Sequence, residues 1–485
     1  MKVLMPEEMR AVDEATVDLG IPSLILMENA ASRVVEFLVE RFAPLHNQRL
    51  VVVCGKGNNG GDGLAIARQL ITRFHPRALD VFLIADADEL KGDAAANYRM
   101  YLAAGGTFAM ALETRMGAAT VVVDALLGTG LRPPVTGRYL DWIRHMNTAF
   151  PRADIVAVDI PSGLGAGEWV RAHHTVTFTA PKVAMVLSPG CEAVGELIVS
   201  PIGSPPHLYG NAKLNLTTAE DFAVINAPRA TNSYKQMYGH VLVVAGGPGK
   251  TGAAAMASLA ALRVGAGLVT VAASDHEGFA PELMRVPLTA ELPLEHKTVV
   301  AIGPGLGTET ASFDLVRDAV RTIDLPMVID ADAITALAGV EKPWSTDKPR
   351  ILTPHPGEMA RLAPNNASDK GDRIATARNY AVKHKCCVVL KGNRTVIAFP
   401  DEQVWINPTG SPAMAKAGSG DILTGLIAGL VAQFPNDWQT AVRAAVFWHG
   451  RAGERASAAK GEKHVLATDL LAFLNDSCFE AFDGC

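Results

Sequence analysis

The chain runs twice through the same alternation of short β-rich runs and helix-length segments, with a patternless stretch between the two series, and this constrains its fold more than any single motif. In the first series the runs are Leu50–Val53, Val81–Ile84, Thr120–Asp124 and Ile155–Asp159, with weaker strand-like text at Thr175–Phe178 and Leu197–Val199. Alternation of this kind is the signature of βαβ units and a parallel sheet. Two helical patterns come before it, one opening near Pro6 and a longer one from Leu24 to Phe42 after Pro22. From Gly203 to Thr231 the period is lost and Pro205, Pro206 and Pro228 intervene, which marks a domain junction. The second series predicts strands at His240–Val244, Leu268–Ala272, Val299–Ile302, Met327–Ile329, Ile351–Thr353 and Cys387–Leu390. Its helices include Ala253–Val264 and Arg373–His384, and the end reads as helical from Gly420 through His449 and again near Leu470. Two α/β domains are expected, over residues 1–212 and 225–485.

At 485 residues, 49% hydrophobic and 19% charged, the chain has apolar material for two sizeable cores. A net charge of −6 and the lack of any Lys/Arg run argue against nucleic acid or an anionic membrane as partner. No apolar run approaches the roughly 20 residues needed to span a bilayer. Cysteines at 54, 191, 386, 387, 478 and 485 include no Cys-x-x-Cys pair and describe neither a disulfide frame nor a zinc site. The N-terminus has no apolar signal core. A reducing cytoplasm is the expected compartment. Small molecules are the expected partners, and a homo-oligomer the expected assembly.

The strongest local signal in the first half is Cys54-Gly55-Lys56-Gly57-Asn58-Asn59-Gly60-Gly61-Asp62-Gly63, between an apolar strand and a helix. Backbone amides in such a turn, with the helix N-terminus, suit an anion such as phosphate. Gly55, Gly57 and Gly60 satisfy G-x-G-x-x-G, which would mean a dehydrogenase if an acid followed about 20 residues on. Asp86 and Asp88 come too late for that role, and Asn58, Asn59 and Asp62 are foreign to the fingerprint. Further polar clusters end the next strands: Asp124 with Gly128–Pro134, Asp159 with Ser162, and Lys182. Ligands of open parallel sheets sit at the carboxyl ends of strands, so these loops should converge. Asn59, Asp124 and Ser162 could supply hard oxygen ligands to a cation, though the set lacks the carboxylates of a tight divalent site. Each strand-end aspartate could instead cap a helix, and Lys182 could be a solvated surface residue.

In the second half Gly246–Gly252 invites a P-loop reading, which fails because the required first glycine is Val244. The informative stretch is Asn407-Pro408-Thr409-Gly410 followed by Ala417-Gly418-Ser419-Gly420-Asp421 at the start of a helix. Small residues there can place backbone N–H groups around phosphate oxygens, aided by the helix dipole. An aspartate beside such an anion hole can take the proton of a hydroxyl during phosphoryl transfer. The competing reading makes Asp421 an N-cap, and His355 a turn histidine.

These segments carry two resemblances. Met27-Glu28-Asn29-Ala30, Gly55–Gly63, Asp124–Gly130 and Asp159–Gly163 together resemble the NAD(P)H-hydrate epimerase family over roughly residues 1 to 210. The resemblance implies a Rossmann-like domain that interconverts the two epimers of hydrated NADH or NADPH. It also implies substrate contacts by Asn58, Asn59, Gly60, Gly61 and Asp62, by Gly128, Thr129, Gly130, Leu131, Arg132, Pro133 and Pro134, and by Asp159. Potassium would be held by Asn59, Asp124 and Ser162, and Asp159 would do the acid/base work. Ala31 stands where the family often has glycine.

The Ser419–Asp421 segment is similar to the ribokinase-like superfamily of small-alcohol kinases. Gly252–Ala254, Gly303–Gly307, Asp330–Ala333, Leu352–Met359 and Leu390–Gly392 narrow the similarity to the ADP/ATP-dependent NAD(P)H-hydrate dehydratase family over roughly residues 225 to 485. That resemblance implies phosphorylation of the hydrate's hydroxyl and then loss of phosphate, a far better leaving group than hydroxide. By the same carry-over Ala253, Gly305, His355 and Asp421 would contact the hydrate, with Asp421 as base. Lys391, Gly392, Asn393, Arg394, Thr395 and Gly420 would contact the nucleotide, and Mg2+ is expected with it. Gln236 and Met237, Ala413 and Lys416 depart from the family pattern, and Lys416 puts a charge near the anion hole. A kinase of small alcohols fused to a non-catalytic nucleotide-binding domain is the alternative.

Overall fold

The computed structural model describes residues 1–130, 134–364 and 372–474. The chain divides into two compact units, Met1–Ala212 and Lys213–Cys485. Both are α/β and built on largely parallel sheets.

The sheet of the first unit has six strands in the order Ala78–Leu83, Arg49–Cys54, Val121–Ala125, Asp154–Val158, His174–Phe178 and Glu196–Ser200. Every neighbouring pair is parallel. Successive side chains of a strand face opposite ways, so each strand feeds two cores. Leu50, Val52 and Cys54 meet the helices Ser23–Phe42 and Asn58–Arg73 through Val34, Leu38, Leu64 and Leu70. Val51 and Val53 meet the helix Gly137–Thr148 through Ile143 and Met146. Burial on both faces explains why these strands read as unbroken apolar runs. The weakly signalled strands at His174 and Glu196 are both present and extend the sheet.

Strand order reverses between Arg49–Cys54 and Val121–Ala125, and a crevice must open at their carboxyl ends. The glycines of the first loop make that crevice possible by close approach. A Cβ on Gly55 would lie 1.9 Å from the Leu126 carbonyl oxygen, and one on Gly60 would lie 1.8 Å from that of Gly55.

In the second unit the strands follow the order Leu214–Leu216, Val404–Ile406, Val396–Ala398, Cys387–Leu390, Arg350–Leu352, Met327–Ile329, Val299–Ile302, His240–Val244, Leu268–Ala273, Met284–Pro287. All pairings are parallel except those of Val396–Ala398, which is antiparallel to both neighbours. The strand Leu214–Leu216 falls in the stretch read from sequence as a junction, and it is buried by its pairing with Val404–Ile406. Here the order reverses between His240–Val244 and Val299–Ile302. Their following loops are stitched together, with the Gly246 N–H donating to the Pro304 carbonyl (2.9 Å) and the Gly247 N–H to that of Gly305 (2.7 Å). The helix Ser419–Gln433 is buried on every side from Ile422 to Ala432, which is why its sequence is apolar throughout. Gly425 lets it approach the helix Thr251–Arg263 closely, since a Cβ there would lie 2.0 Å from the Ala257 carbonyl oxygen. The helical end breaks at Phe434–Pro435 before resuming as Trp438–Lys460. No described helix is long and apolar enough to cross a membrane.

Candidate active sites

A cavity of about 900 Å3 opens at the switch point of the first unit. Its walls bring together Asn58, Asn59 and Asp62 at the start of the Asn58–Arg73 helix, Gly128, Thr129, Gly130 and Pro134 after the Val121–Ala125 strand, and Asp159. Gly60 and Gly61 do not line it. They sit inside the helix, Gly60 against Gly55 and Gly61 against the Met27 sulfur, where a Cβ would not fit. This also explains why Met27 matters to the pattern. Leu131, Arg132 and Pro133 lie outside the described residues.

Asp159 follows the Asp154–Val158 strand with φ at +65°, a left-handed conformation costly for a non-glycine residue and common at functional sites. Its Oδ1 accepts from the Lys182 ammonium, from the Thr177 hydroxyl (3.2 Å) and from the Phe178 N–H (3.3 Å). Lys182 is 2% exposed, and also donates to Thr177 Oγ1 (2.9 Å) and the Phe178 carbonyl (3.2 Å). It is therefore a buried ion-pair partner, not a solvated surface lysine. Burial pushes the Asp62 carboxyl well above the usual range, with the charges of Asp159 and Asp13 adding to the effect and Lys182 opposing it.

Asn59, Asp124 and Ser162 meet beside this cavity. Ser162 donates through its hydroxyl to Asp124 Oδ1 (2.5 Å) and through its N–H to Oδ2 (2.8 Å), while Asn59 Nδ2 donates to the Leu127 carbonyl (3.1 Å). Asn59 Oδ1 is buried with no hydrogen-bond partner. Asn59 and Ser162 both reach the Leu127 carbonyl, so the orphaned amide oxygen joins the carboxylate and the hydroxyl in one linked group, a donor set suited to a hard monovalent cation. Burial raises Asp124 to about 6 against the hydrogen bonds from Ser162 and Leu126, and a nearby positive charge would offset that cost.

In the second unit Asp421 lies in the first turn of the Ser419–Gln433 helix. The N-cap is Gly418, at φ +94°, and no side chain caps the helix, so Asp421 is not the cap. Burial raises its carboxyl to about 6, assisted by Asp330 and opposed by Lys391. Beneath it Asp330 is nearly fully buried and acts as a hub. Its Oδ1 accepts from Lys391 Nζ (2.9 Å) and Thr353 Oγ1 (2.7 Å), and its Oδ2 from Thr424 Oγ1 (2.8 Å). Gly420 leaves an opening, because a Cβ there would meet only Lys391 Nζ at 3.5 Å and Asp330 Oδ2 at 3.9 Å. Burial opposes the charged form of Lys391, but Asp330 and Glu358 outweigh it and its pKa rises. Ser419 is held from below by His449 (Oγ to Nε2, 3.3 Å), a buried imidazole whose pKa burial lowers to about 4.

Ala253 and Gly305 are brought side by side, since a Cβ on Gly305 would lie 3.2 Å from that of Ala253. Gly392, Asn393, Arg394 and Thr395 form the turn between the antiparallel strands Cys387–Leu390 and Val396–Ala398, with the Asn393 carbonyl fixed by Arg373 (2.6 Å). His355 caps the Pro356–Leu362 helix: its Nδ1 accepts from Gly357 N–H (3.0 Å) and Glu358 N–H (3.2 Å). Lys416 donates to the Lys463 carbonyl (2.7 Å), an exposed contact that engages the charge expected beside the anion hole. Asp332 accepts from the Gly307 N–H (2.8 Å) and so ties two loops together.

Sequence reading missed Asp13, and the hub role of Asp330. Asp13 could have been found, because it follows Met9 by one helical turn and so shares the face that the Pro6–Asp18 helix buries.

Comparison with known proteins agrees with this division. The family model described as YjeF-related protein N-terminus matches residues 23–184, and the NAD(P)H-hydrate dehydratase model matches residues 241–475. The bifunctional NAD(P)H-hydrate repair enzyme Nnr of Moorella thermoacetica is 40% identical across 98% of this chain and 96% of its own length. That of Thermofilum pendens is 36% identical across 98% and 95%. The ADP/ATP-dependent NAD(P)H-hydrate dehydratase from Bacillus subtilis, co-crystallised with ATP and Mg2+, is 36% identical with a TM-score of 0.49, over 54% of this chain and 97% of that one. On the full-length relatives, the chain belongs to the family of bifunctional NAD(P)H-hydrate repair enzymes.

Proposed function

We propose that the first unit interconverts the epimers of hydrated NADH and NADPH, and that the second dehydrates the S form with ADP or ATP as phosphoryl donor. The observation that carries the reading is the pairing of two switch-point sites on one chain, each with a carboxyl of raised pKa next to a buried lysine–aspartate pair.

In the first site Asp159 is the acid/base group at the hydrated carbon. Its ion pair with Lys182 holds the carboxylate at a fixed place, and its strained backbone is fixed by the Val176 carbonyl, which accepts the Asp159 N–H (2.8 Å). Asn58, Asp62, Gly128–Gly130 and Pro134 hold the hydrate around it. Potassium would be held by Asn59, Asp124 and Ser162, with the orphaned Asn59 oxygen as the supporting observation. Its chemistry there is a positive charge that steadies Asp124 and the loops joined through Ser162.

In the second site Asp421 removes the proton of the hydrate's hydroxyl as the oxygen bonds to the terminal phosphorus. Above about pH 6 its carboxyl is ionised and able to do so. The hydrate lies by Ala253 and Gly305, and the nucleotide by Gly420 and the Gly392–Thr395 turn, with Lys391 supplying positive charge beneath Gly420. His355, as the helix cap beside Glu358, shapes the wall next to the hydrate. Loss of phosphate then regenerates the dihydronicotinamide. Magnesium would arrive with the nucleotide's phosphates. The proposed setting is a reducing cytoplasm, in keeping with Cys54, Cys191, Cys386 and Cys387, which are free and buried. The proposed assembly is a homo-oligomer.

The test is incubation of the purified chain with mixed hydrate epimers, with and without ADP or ATP. The reading requires nucleotide-dependent recovery of dihydronicotinamide absorbance with equal release of phosphate. A stable phosphorylated product would mean a plain small-alcohol kinase instead.

A further inference from the structure

The first unit's cavity contains a carboxyl that the epimerase reading has not used. Asp13 lines it from the Pro6–Asp18 helix, a different wall from the sheet edge that carries Asp159. The helix is anchored at its start and through the residues just before it. Pro6 and the acidic pair Glu7 and Glu8 start it, with Glu8 accepting from the Met5 N–H (2.8 Å). Just before it, the Leu4 N–H donates to the Pro181 carbonyl (3.0 Å) and the Val183 N–H to the Leu4 carbonyl (3.1 Å), which bracket Lys182. Leu4, Met9 and Val12 pack on Ala180 in one apolar cluster. The segment that delivers Asp13 is thus pinned to the segment that delivers Lys182. No hydrogen bond among the described residues engages the Asp13 carboxyl, so it is open to whatever fills the cavity.

From the elements packed against it, Asp13 is faced by Asp159 and Lys182 and couples to Asp62, while Lys56 and Asp93 also stand at the cavity. On its own helix Glu14 adds to the lift, and Arg10 and Asp18 also line the cavity. Burial lifts the carboxyl to about 6, the charge of Asp159 adds to this, and Lys182 opposes it.

We propose that Asp13 is a second catalytic carboxyl of the epimerase reaction, exchanging protons on one face of the hydrate while Asp159 serves the other. This rests on the epimerase reading of the cavity. In the forward sense the C–O bond breaks and its electron pair leaves with the oxygen, which takes a proton from one carboxyl and departs as water. The ring nitrogen's lone pair forms C=N with the carbon. Water then adds to the other face: a new C–O bond forms, the C=N electrons return to nitrogen, and the water's surplus proton passes to the second, ionised carboxylate. One proton has moved between the two carboxyls, and the reverse turnover or exchange with solvent returns it. A reaction that must run equally in both directions needs an acid/base group for each face.

The test uses the full chain, without nucleotide, following conversion of the R epimer by NMR across about pH 5 to 8. Wild type should interconvert the epimers with an inflection near pH 6. Asp13→Asn should be about tenfold slower or worse, and should lose that inflection. Asp13→Glu should recover most of the rate with the inflection displaced. An Asp13→Asn protein as fast as wild type, or one slowed with its inflection intact, overturns the proposal, the second result marking a purely structural residue. If wild type leaves the epimers unchanged, or Asp159→Asn matches wild type, the epimerase reading itself fails.

Discussion

In the first unit Lys182 pairs with Asp159, while in the second Lys391 pairs with Asp330 and leaves Asp421 outside the pair. Both pairs lie at the carboxyl edge of a parallel sheet, and each raises the question of what the neighbouring carboxyls experience. Around Lys182 there are two, Asp62 and Asp13, both lifted first by burial and then by Asp159. Around Lys391 the lifted one is Asp421, raised by burial and then by Asp330, while Glu358 stands 3.9 Å from the ammonium as a second counter-charge. The difference suits the two reactions. An epimerase returns hydroxide to either face and uses carboxyls on more than one wall. A dehydratase driven by a nucleotide runs in one direction and needs a single proton taken from one hydroxyl.

The sharpest way to break this comparison is to remove one site's base and watch the other site. Asp421→Asn should lower nucleotide-dependent dehydration by about 10²- to 10⁴-fold, with epimer interconversion unchanged, measured by phosphate release and by NMR on the same sample. A fall in both activities would contradict two independent sites. Removing a partner of each ion pair comes next. Asp330→Ala removes the buried acceptor of Lys391, Thr353 and Thr424 and should destabilise the second unit by about 3 to 5 kcal/mol, read from its urea midpoint. Lys182→Ala should cost the first unit less, about 1 to 3 kcal/mol, because Asp159 keeps the Thr177 and Phe178 donors.

A pH profile sharpens the second site. A base whose pKa is raised to about 6 is lost by protonation on the acid side, so kcat/KM for dehydration should fall about tenfold per unit below that value and level off above it. A flat profile down to pH 4.5 would exclude Asp421 as the base. The smallest effect concerns the cation. At a K+ concentration about ten times its Kd, the first unit should gain about 1.4 kcal/mol, seen as a higher Tm, and Asn59→Ala should abolish the gain.

How much of this was legible beforehand differs between the fold and the sites. Strands such as His240–Val244 and Val299–Ile302 match their apolar runs because both faces are buried and nothing polar interrupts them. The strands Val396–Ala398 and Val404–Ile406 were missed because they are short and sit in a meander of turns without the helix-length segments that mark the βαβ series. Met284–Pro287 was missed because it is an edge strand and largely exposed. Spacing located the loops that line the first cavity. It could not tell Gly60 and Gly61, which fill helix contacts, from Asn58, which faces the cavity, since that depends on how the helix is rotated. The hub role of Asp330 escaped for a related reason: it lies in what Thr353, Lys391 and Thr424 bring to it from far away in sequence, whereas Asp13 carried a helical-spacing signal that went unread. For His355, the Pro-His-Pro text could not foretell the helix-capping geometry, because that depends on which way the imidazole turns.

The central claim, two complementary activities on one chain, is tested most directly by the fate of pure R hydrate given ADP. Wild type should return all of it to dihydronicotinamide, while the Asp159→Asn and Asp421→Asn proteins should each stall, measured against the slow change in buffer alone. Mixed in one tube, the two variants should restore the full absorbance, because each supplies the unit the other lacks. A mixture that stays as inactive as either variant would contradict the account.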